Sequence, residues 1–235
     1  MGNPIIVALD VPEMETAMRL VQELAPVVGG FKVGKELFVS VGPEVVRRIR
    51  ATGAPVFLDL KFHDIPNTVA RAVEAATRLD VQMLTVHTSG GRQMLCAAAR
   101  AAEESSRKLD RPTPLLLGVT VLTSLESGEL VELGLAPSIG SQVERLARLA
   151  ADCRLGGLVC SPLELVFLRQ ILPAEMKLVT PGIRPAAVEN DDQKRTLSPR
   201  EAVEAGADWL VIGRPICGAK DPREAAEKIL ASLSG

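Results

Sequence analysis

Aromatic side chains are scarce in this chain: five phenylalanines, one tryptophan and no tyrosine among 235 residues, or 3%. A surface on which successive nucleobases stack needs more rings than that. Charge of one sign is lacking too, since 27 Lys and Arg stand against 29 Asp and Glu for a formal net charge of −2, with no basic block. The electrostatic footprint of a phosphate backbone is therefore missing, and nucleic acid is not expected as a partner. No apolar stretch approaches the ~20 residues needed to span a bilayer. Met1-Gly2-Asn3-Pro4 runs into a strand without a charged leader, so a cytoplasmic protein with no membrane contact is expected. With His63 and His87 as its two histidines the chain excludes a histidine-rich transition-metal site, and Cys96, Cys153, Cys160 and Cys217 are scattered with no C-x-x-C pair. Four buried thiols are the expectation. A magnesium site built from carboxylates stays open.

What is present is a hydrophobic content of 47%, enough for one large core, and the reading is one domain over 1–235. Short apolar runs recur eight times: Pro4 to Leu9, Gly30 to Gly34, Pro55 to Leu60, Gln82 to His87, Leu115 to Leu122, Gly157 to Cys160, Lys177 to Pro181 and Trp209 to Gly213. Unbroken apolarity, rather than strict alternation, is the pattern of parallel strands covered on both faces. Amphipathic helices fit Glu13 to Ala25, Glu44 to Ala51, Asn67 to Leu79, Arg92 to Ser106, Gln142 to Ala151, Leu163 to Leu172, Pro199 to Ala205 and Arg223 to Leu233. Three begin with a capping residue, then proline, then glutamate two residues further on: Ser161-Pro162-Leu163-Glu164, Ser198-Pro199-Arg200-Glu201 and Asp221-Pro222-Arg223-Glu224. Strand and helix alternating in this way predict an α/β fold, a closed (β/α)8 TIM barrel.

Two connections are longer than a barrel needs. Thr123 to Ile139 has room for a short helix near Glu126 to Leu133, and 184–197 carries a polar run through Glu189, Asp192 and Arg195. Long loops in a compact domain are usually binding loops, so 184–197 is the candidate for closing over a ligand.

Active sites of such barrels lie at the C-terminal ends of the strands. The residues expected there are polar: Asp10, Lys32, Asp59 and Lys61, His87, Thr123 and Ser124, Gly182 and Arg184, Gly213 and Arg214. In an extended strand, residues two apart share a face, so Asp59 and Lys61 point together while Leu58 and Leu60 point away. A buried ion pair contributes little net stability after desolvation, which favours chemistry or ligand binding over a purely structural pair. Lys32 lies between Gly30 and Gly34, which leave room around one ammonium. The loops after the seventh and eighth strands form the common phosphate site of this architecture, which makes Arg184, Gly213 and Arg214 phosphate candidates. Asp10 has an alternative as a turn or helix-cap residue before Val11-Pro12. His63 and His87 read as hydrogen-bonded structural residues, Lys194 and Arg195 as solvated charge, and Met14, Met18, Met83 and Met94 as packing.

These residues carry a resemblance. Val7-Ala8-Leu9-Asp10, Phe31-Lys32-Val33-Gly34, the D-x-K-x-x-D run Asp59-Leu60-Lys61-Phe62-His63-Asp64 with Ile65-Pro66-Asn67-Thr68, Val119 to Ser124, Thr180-Pro181-Gly182-Ile183-Arg184, Asp192-Gln193 and Val211 to Ile216 match in order and spacing. The chain resembles the orotidine 5′-phosphate decarboxylase family over nearly its whole length. The resemblance implies decarboxylation of orotidine 5′-phosphate to uridine 5′-monophosphate without cofactor or metal, in a homodimer with shared active sites. It implies that Asp10 and Lys32 hold the ribose hydroxyls, with Lys32 also touching Asp59, and that Asp59 sits beside the substrate carboxylate. Lys61 would face the carbon that loses carbon dioxide, while Asp64, Ile65 and Thr68 would reach into the neighbouring subunit's site. Thr123 would read the pyrimidine edge, Gln193 would bridge base and phosphate, and Arg184, Gly213 and Arg214 would serve the phosphate. One alternative is a metal-dependent sugar-phosphate decarboxylase with a similar barrel, for which a carboxylate would be expected where Lys32 stands. Another is a non-catalytic nucleotide-binding barrel.

Overall fold

The computed structural model describes residues 2–184 and 196–233. Eight parallel strands pair in sequence order and close into a barrel: β1 (Ile5–Ala8), β2 (Gly30–Val33), β3 (Val56–Phe62), β4 (Met83–His87), β5 (Leu115–Val119), β6 (Gly157–Val159), β7 (Lys177–Thr180) and β8 (Trp209–Ile212). Closure is made by β8 on β1, with Ile5 opposite Leu210 and Val7 opposite Ile212. The expected (β/α)8 barrel is the observed one.

Each strand feeds two cores, because alternate residues face the barrel interior and the surrounding helices. Ile6, Ala8, Phe57, Met83, Leu117, Val179 and Val211 form the inner cluster, all of them buried. Their neighbours, among them Val7, Phe31, Val33, Leu58, Leu84 and Ile212, belong to the larger cluster between sheet and helices. The interior is thus plugged by apolar side chains, and space for a ligand is left only above them.

The helices cover the outside where their apolar stripes demand it, at Met14–Leu24, Glu44–Ala51, Pro66–Arg78, Gly91–Leu109, Ile139–Asp152, Leu165–Ile171, Pro199–Glu204 and Pro222–Ser232. The three capped starts form, although Ser161 caps a single 3-10 turn, Pro162–Glu164, and the α-helix follows only at Leu165. Ser161 and Ser198 make reciprocal capping boxes with Glu164 and Glu201, and the Asp221 side chain accepts from the Glu224 N–H at 2.9 Å. A one-turn helix at Ser127–Glu132 occupies the long loop after β5, capped by Glu126.

Four details depart from the sequence reading. Helices at Lys35–Val41 and Arg214–Cys217 were not anticipated, because the first buries Leu37 alone and so shows no stripe, and the second is a single turn. β5 ends at Val119 rather than Leu122, so the loop that carries Thr123 and Ser124 begins three residues earlier, at Thr120. β3 runs on to Phe62, with Leu58 opposite Leu84 but Phe62 opposite Val86, so four steps on β3 meet two on β4. Of the four thiols Cys153 and Cys160 are buried as expected, whereas Cys96 and Cys217 are only partly buried.

Candidate active site

At the C-terminal mouth of the barrel lies a cavity of about 300 Å³. Its floor is the top of the inner core, Ala8, Phe57, Val159 and Val211, and its walls carry Asp10, Lys32, Asp59, Lys61, Thr123, Arg184, Gly213 and Arg214. Four cations face two carboxylates there, and a cleft with such an excess concentrates anions.

Four of the charges form a chain of alternating sign. Lys32 Nζ donates to Asp10 Oδ1 at 3.1 Å and stands 3.8 Å from Asp59 Oδ2, while Lys61 Nζ donates to both Asp59 oxygens at 2.8 Å. The inward aspect of Lys32 follows from Phe31 and Val33 on either side, both fully buried toward the helices. Gly34 leaves the space it needs: a Cβ there would stand 3.0 Å from Lys32 Nζ. Gly213 does the same across the mouth, where a Cβ would meet Asp10 Oδ2 at 3.3 Å. Asp10 caps nothing, since the next helix starts at Met14 behind Glu13, and its side chain is 60% exposed at the rim. The helix-cap alternative for Asp10 is therefore excluded.

Asp59 and Lys61 do share the inward face, but not by simple alternation. Lys61 has a φ of 53°, in the left-handed region where a side chain crowds its own backbone, and it falls within the stretch where β3 slips against β4. The ladder supplies no carbonyl for its N–H. The buried hydroxyl of Thr85 on β4 takes that hydrogen bond at 2.8 Å and donates its own to Asp59 Oδ1 at 3.0 Å. Burial by itself pushes the Asp59 carboxyl upward, but Lys61 and Lys32 beside it, with the hydrogen bonds from Lys61 and Thr85, hold it below the usual carboxylate value. Asp59 is thus an anion wherever the cations around it are charged.

The remaining candidates divide. Thr123, Arg184, Gly213 and Arg214 line the cavity as expected. Arg184 is positioned by backbone pairing of its N–H with the carbonyl of Leu197, which ties the start of the loop after β7 to its end just before the next helix. Asp64, Ile65 and Thr68 do not line it; they are exposed, Ile65 at 67%, with Asp64 and Ile65 on the turn after β3 and Thr68 in the first turn of the helix Pro66–Arg78. Within one chain, then, Asp64 does not stand beside Lys61 in the cavity. Gln193, and 185–195 of the proposed closing loop, lie outside the described residues.

The sequence reading missed Thr85 altogether, and it set His87 aside. The His87 ring tilts against that of His63 with centroids 5.4 Å apart, close behind Lys61. Burial first, then His63 and Lys61, push His87 down to about 4, leaving it neutral at ordinary pH. No group of three His, Cys, Asp or Glu side chains converges as metal donors among the described residues, and none of their helices is long and apolar enough to cross a membrane.

Residues 3–229 match the model of the family described as orotidine 5′-phosphate decarboxylase / HUMPS. The chain is 51% identical over 232 residues to the orotidine 5′-phosphate decarboxylase of Pseudomonas syringae pv. tomato, covering 99% of this chain and 98% of that one. It is 48% identical over 230 residues to that of Saccharophagus degradans, covering 98% and 94%. The crystal structure of orotidine 5′-phosphate decarboxylase from Lactobacillus acidophilus superimposes with a TM-score of 0.87 at 36% identity, over 99% of this chain and all of the other.

Proposed function

Because the chain belongs to the orotidine 5′-phosphate decarboxylase / HUMPS family and decarboxylates orotidine 5′-phosphate to uridine 5′-monophosphate in pyrimidine biosynthesis, we propose that Lys61 carries the chemistry, with no metal or organic cofactor. Breaking the bond from C6 to the carboxylate leaves an electron pair in the plane of the pyrimidine ring, where the π system cannot take it up. Stabilisation comes from outside the ring. A fixed ammonium does this in a poorly hydrated cleft, because attraction between unit charges ~4 Å apart rises from ~1 kcal/mol in water to ~4 kcal/mol at an effective dielectric of 20. Lys61 then gives an N–H proton to C6 while carbon dioxide leaves, and recovers a proton from solvent. The observation that carries this reading is the 2.8 Å clamp of both Asp59 oxygens on Lys61 Nζ above an apolar floor. Asp59 serves to orient the ammonium.

The other assignments follow from position. Asp10 and Lys32 stand at the rim for the ribose hydroxyls, Thr123 for the pyrimidine edge, and Arg184, Gly213 and Arg214 for the phosphate, where guanidinium groups suit the dianion. Gln193 is assigned to base and phosphate on the family resemblance. The protein is proposed to be a cytoplasmic homodimer in which Asp64, Ile65 and Thr68 complete the partner's site; their exposure beside, rather than inside, the cavity of their own chain supports this. A metal-dependent sugar-phosphate reaction is disfavoured because the second strand offers the ammonium of Lys32, which repels a divalent cation. Loss of orotidine 5′-phosphate absorbance on mixing with purified protein, unchanged by a chelator, is the expected result. A chelator that abolishes turnover would overturn the cofactor-free reading.

A further inference from the structure

The mouth of the barrel contains one buried polar side chain that touches both members of the reactive pair without lining the cavity. Thr85 is fully buried on β4, above Met83 of the inner core. Between the pairs Leu58–Leu84 and Phe62–Val86, β3 has two residues more than β4, and the strand accommodates them by turning Lys61 to a φ of 53°. A buried N–H left unpaired at such a point costs roughly 1–3 kcal/mol. The Thr85 hydroxyl accepts from that N–H at 2.8 Å and, being donor as well as acceptor, passes its proton side to Asp59 Oδ1 at 3.0 Å. Asp59 in turn receives Lys61 Nζ at 2.8 Å. The result is a closed ring of hydrogen bonds: backbone of Lys61, hydroxyl of Thr85, carboxylate of Asp59, ammonium of Lys61.

We propose that Thr85 is a positioning residue for the decarboxylation, fixing with one hydroxyl both the strained backbone that launches the Lys61 side chain and the carboxylate that receives it. The proposal rests on the role given to Lys61 above. It accounts for why a non-glycine residue tolerates the left-handed backbone here, since the energy stored in the turn is offset by the hydrogen bond that the Thr85 hydroxyl accepts. Neither valine nor alanine supplies both ends of that bridge; serine does.

The test compares Thr85→Val with Thr85→Ser, each measured for kcat, KM and binding of uridine 5′-monophosphate by calorimetry. Displacement of a reacting group by about 1 Å costs on the order of 100-fold in rate. The expected result is therefore a fall in kcat of roughly 30- to 100-fold for Thr85→Val, with KM and the product's Kd within about threefold, and recovery by Thr85→Ser to within about fivefold of the parent. A destabilised but otherwise intact enzyme would instead lose active sites and product binding in equal proportion. Should valine prevent folding, Thr85→Ala against Thr85→Ser gives the same comparison. A kcat within about threefold of the parent in Thr85→Val, or Thr85→Ser as impaired as Thr85→Val, overturns the proposal. Lys61→Ala run alongside keeps the two readings apart: if it abolishes turnover while Thr85→Val does not, the role of Lys61 stands and that of Thr85 falls.

Discussion

Replacing Lys61 with alanine separates what the ammonium does in the reaction from what it does for the fold. In the reaction it faces an electron pair at close range. With its side chain 24% exposed and apolar residues beneath, an effective dielectric near 20 applies, and ~4 kcal/mol at ~4 Å corresponds to about a thousandfold in rate. The same nitrogen delivers the proton, a contribution of roughly 100- to 10,000-fold. The two effects act through one group, and together they set an expected loss of about 100,000-fold or more in kcat. In the fold the consequences are smaller. Asp59 would keep the Thr85 hydroxyl at 3.0 Å and Lys32 at 3.8 Å, so its charge is not left alone. Removing a partner from a buried pair costs about 3–5 kcal/mol when nothing replaces it; with two partners remaining, about 1–3 kcal/mol is expected, or a fall in Tm on the order of 5 °C. Turnover would be followed by the absorbance of orotidine 5′-phosphate, folding by thermal melts, and site integrity by binding of uridine 5′-monophosphate, expected within about tenfold of the parent. Turnover within about a hundredfold of the parent would refute the assignment of the chemistry to Lys61.

Arg214→Ala is expected to lower kcat/KM toward orotidine 5′-phosphate by at least about a hundredfold while leaving the slow reaction of orotidine, which has no phosphate, unchanged; equal losses on both would remove Arg214 from the phosphate site. Mixing Asp64→Asn subunits with Lys61→Ala subunits is expected to restore part of the activity, since one mixed site then combines intact residues from both chains; no recovery in verified mixed dimers would rule out sharing. His87 binds its proton in the unfolded chain near the ordinary 6.5 but in the native protein only near 4, so stability is fully present above about pH 6.5 and is lost as pH falls toward about 4. His63, Lys61, Lys35 and Asp59 are the charges it faces, and His87→Gln removes the term while keeping a polar side chain. The dependence of Tm on pH across that window should flatten in the variant, and an unchanged slope would show that His87 is not its source.

Most of the barrel was legible because its causes are local. A run such as Val56-Phe57-Leu58, short, apolar on both faces and opened by Gly53-Ala54-Pro55, reads as a strand covered on both sides, and Ser198-Pro199-Arg200-Glu201 contains within four residues everything its helix start requires. The helix at Lys35–Val41 left no such mark, because one buried leucine is not a period. The site divides along the same line. Asp59 and Lys61 stand out as charges in an apolar run, and Lys32 stands out between glycines. Thr85 does not: a threonine in Met83-Leu84-Thr85-Val86-His87 is an ordinary strand residue until β3 is laid beside it.

The amino-acid order by itself determined the alternation of strands and helices, the closure of the barrel and the identity of the charged residues at its mouth, since each follows from which side chains can leave water within a few residues of one another. Tertiary structure alone decided that β3 slips against β4, that Lys61 takes a left-handed backbone in the slip, that a hydroxyl on the next strand holds it there, and that Asp64 stands outside the cavity of its own chain. Those outcomes depend on the register between strands more than 20 residues apart, with Lys61 and Thr85 separated by 24. Register is set by the packing of the whole barrel, not by any segment of it.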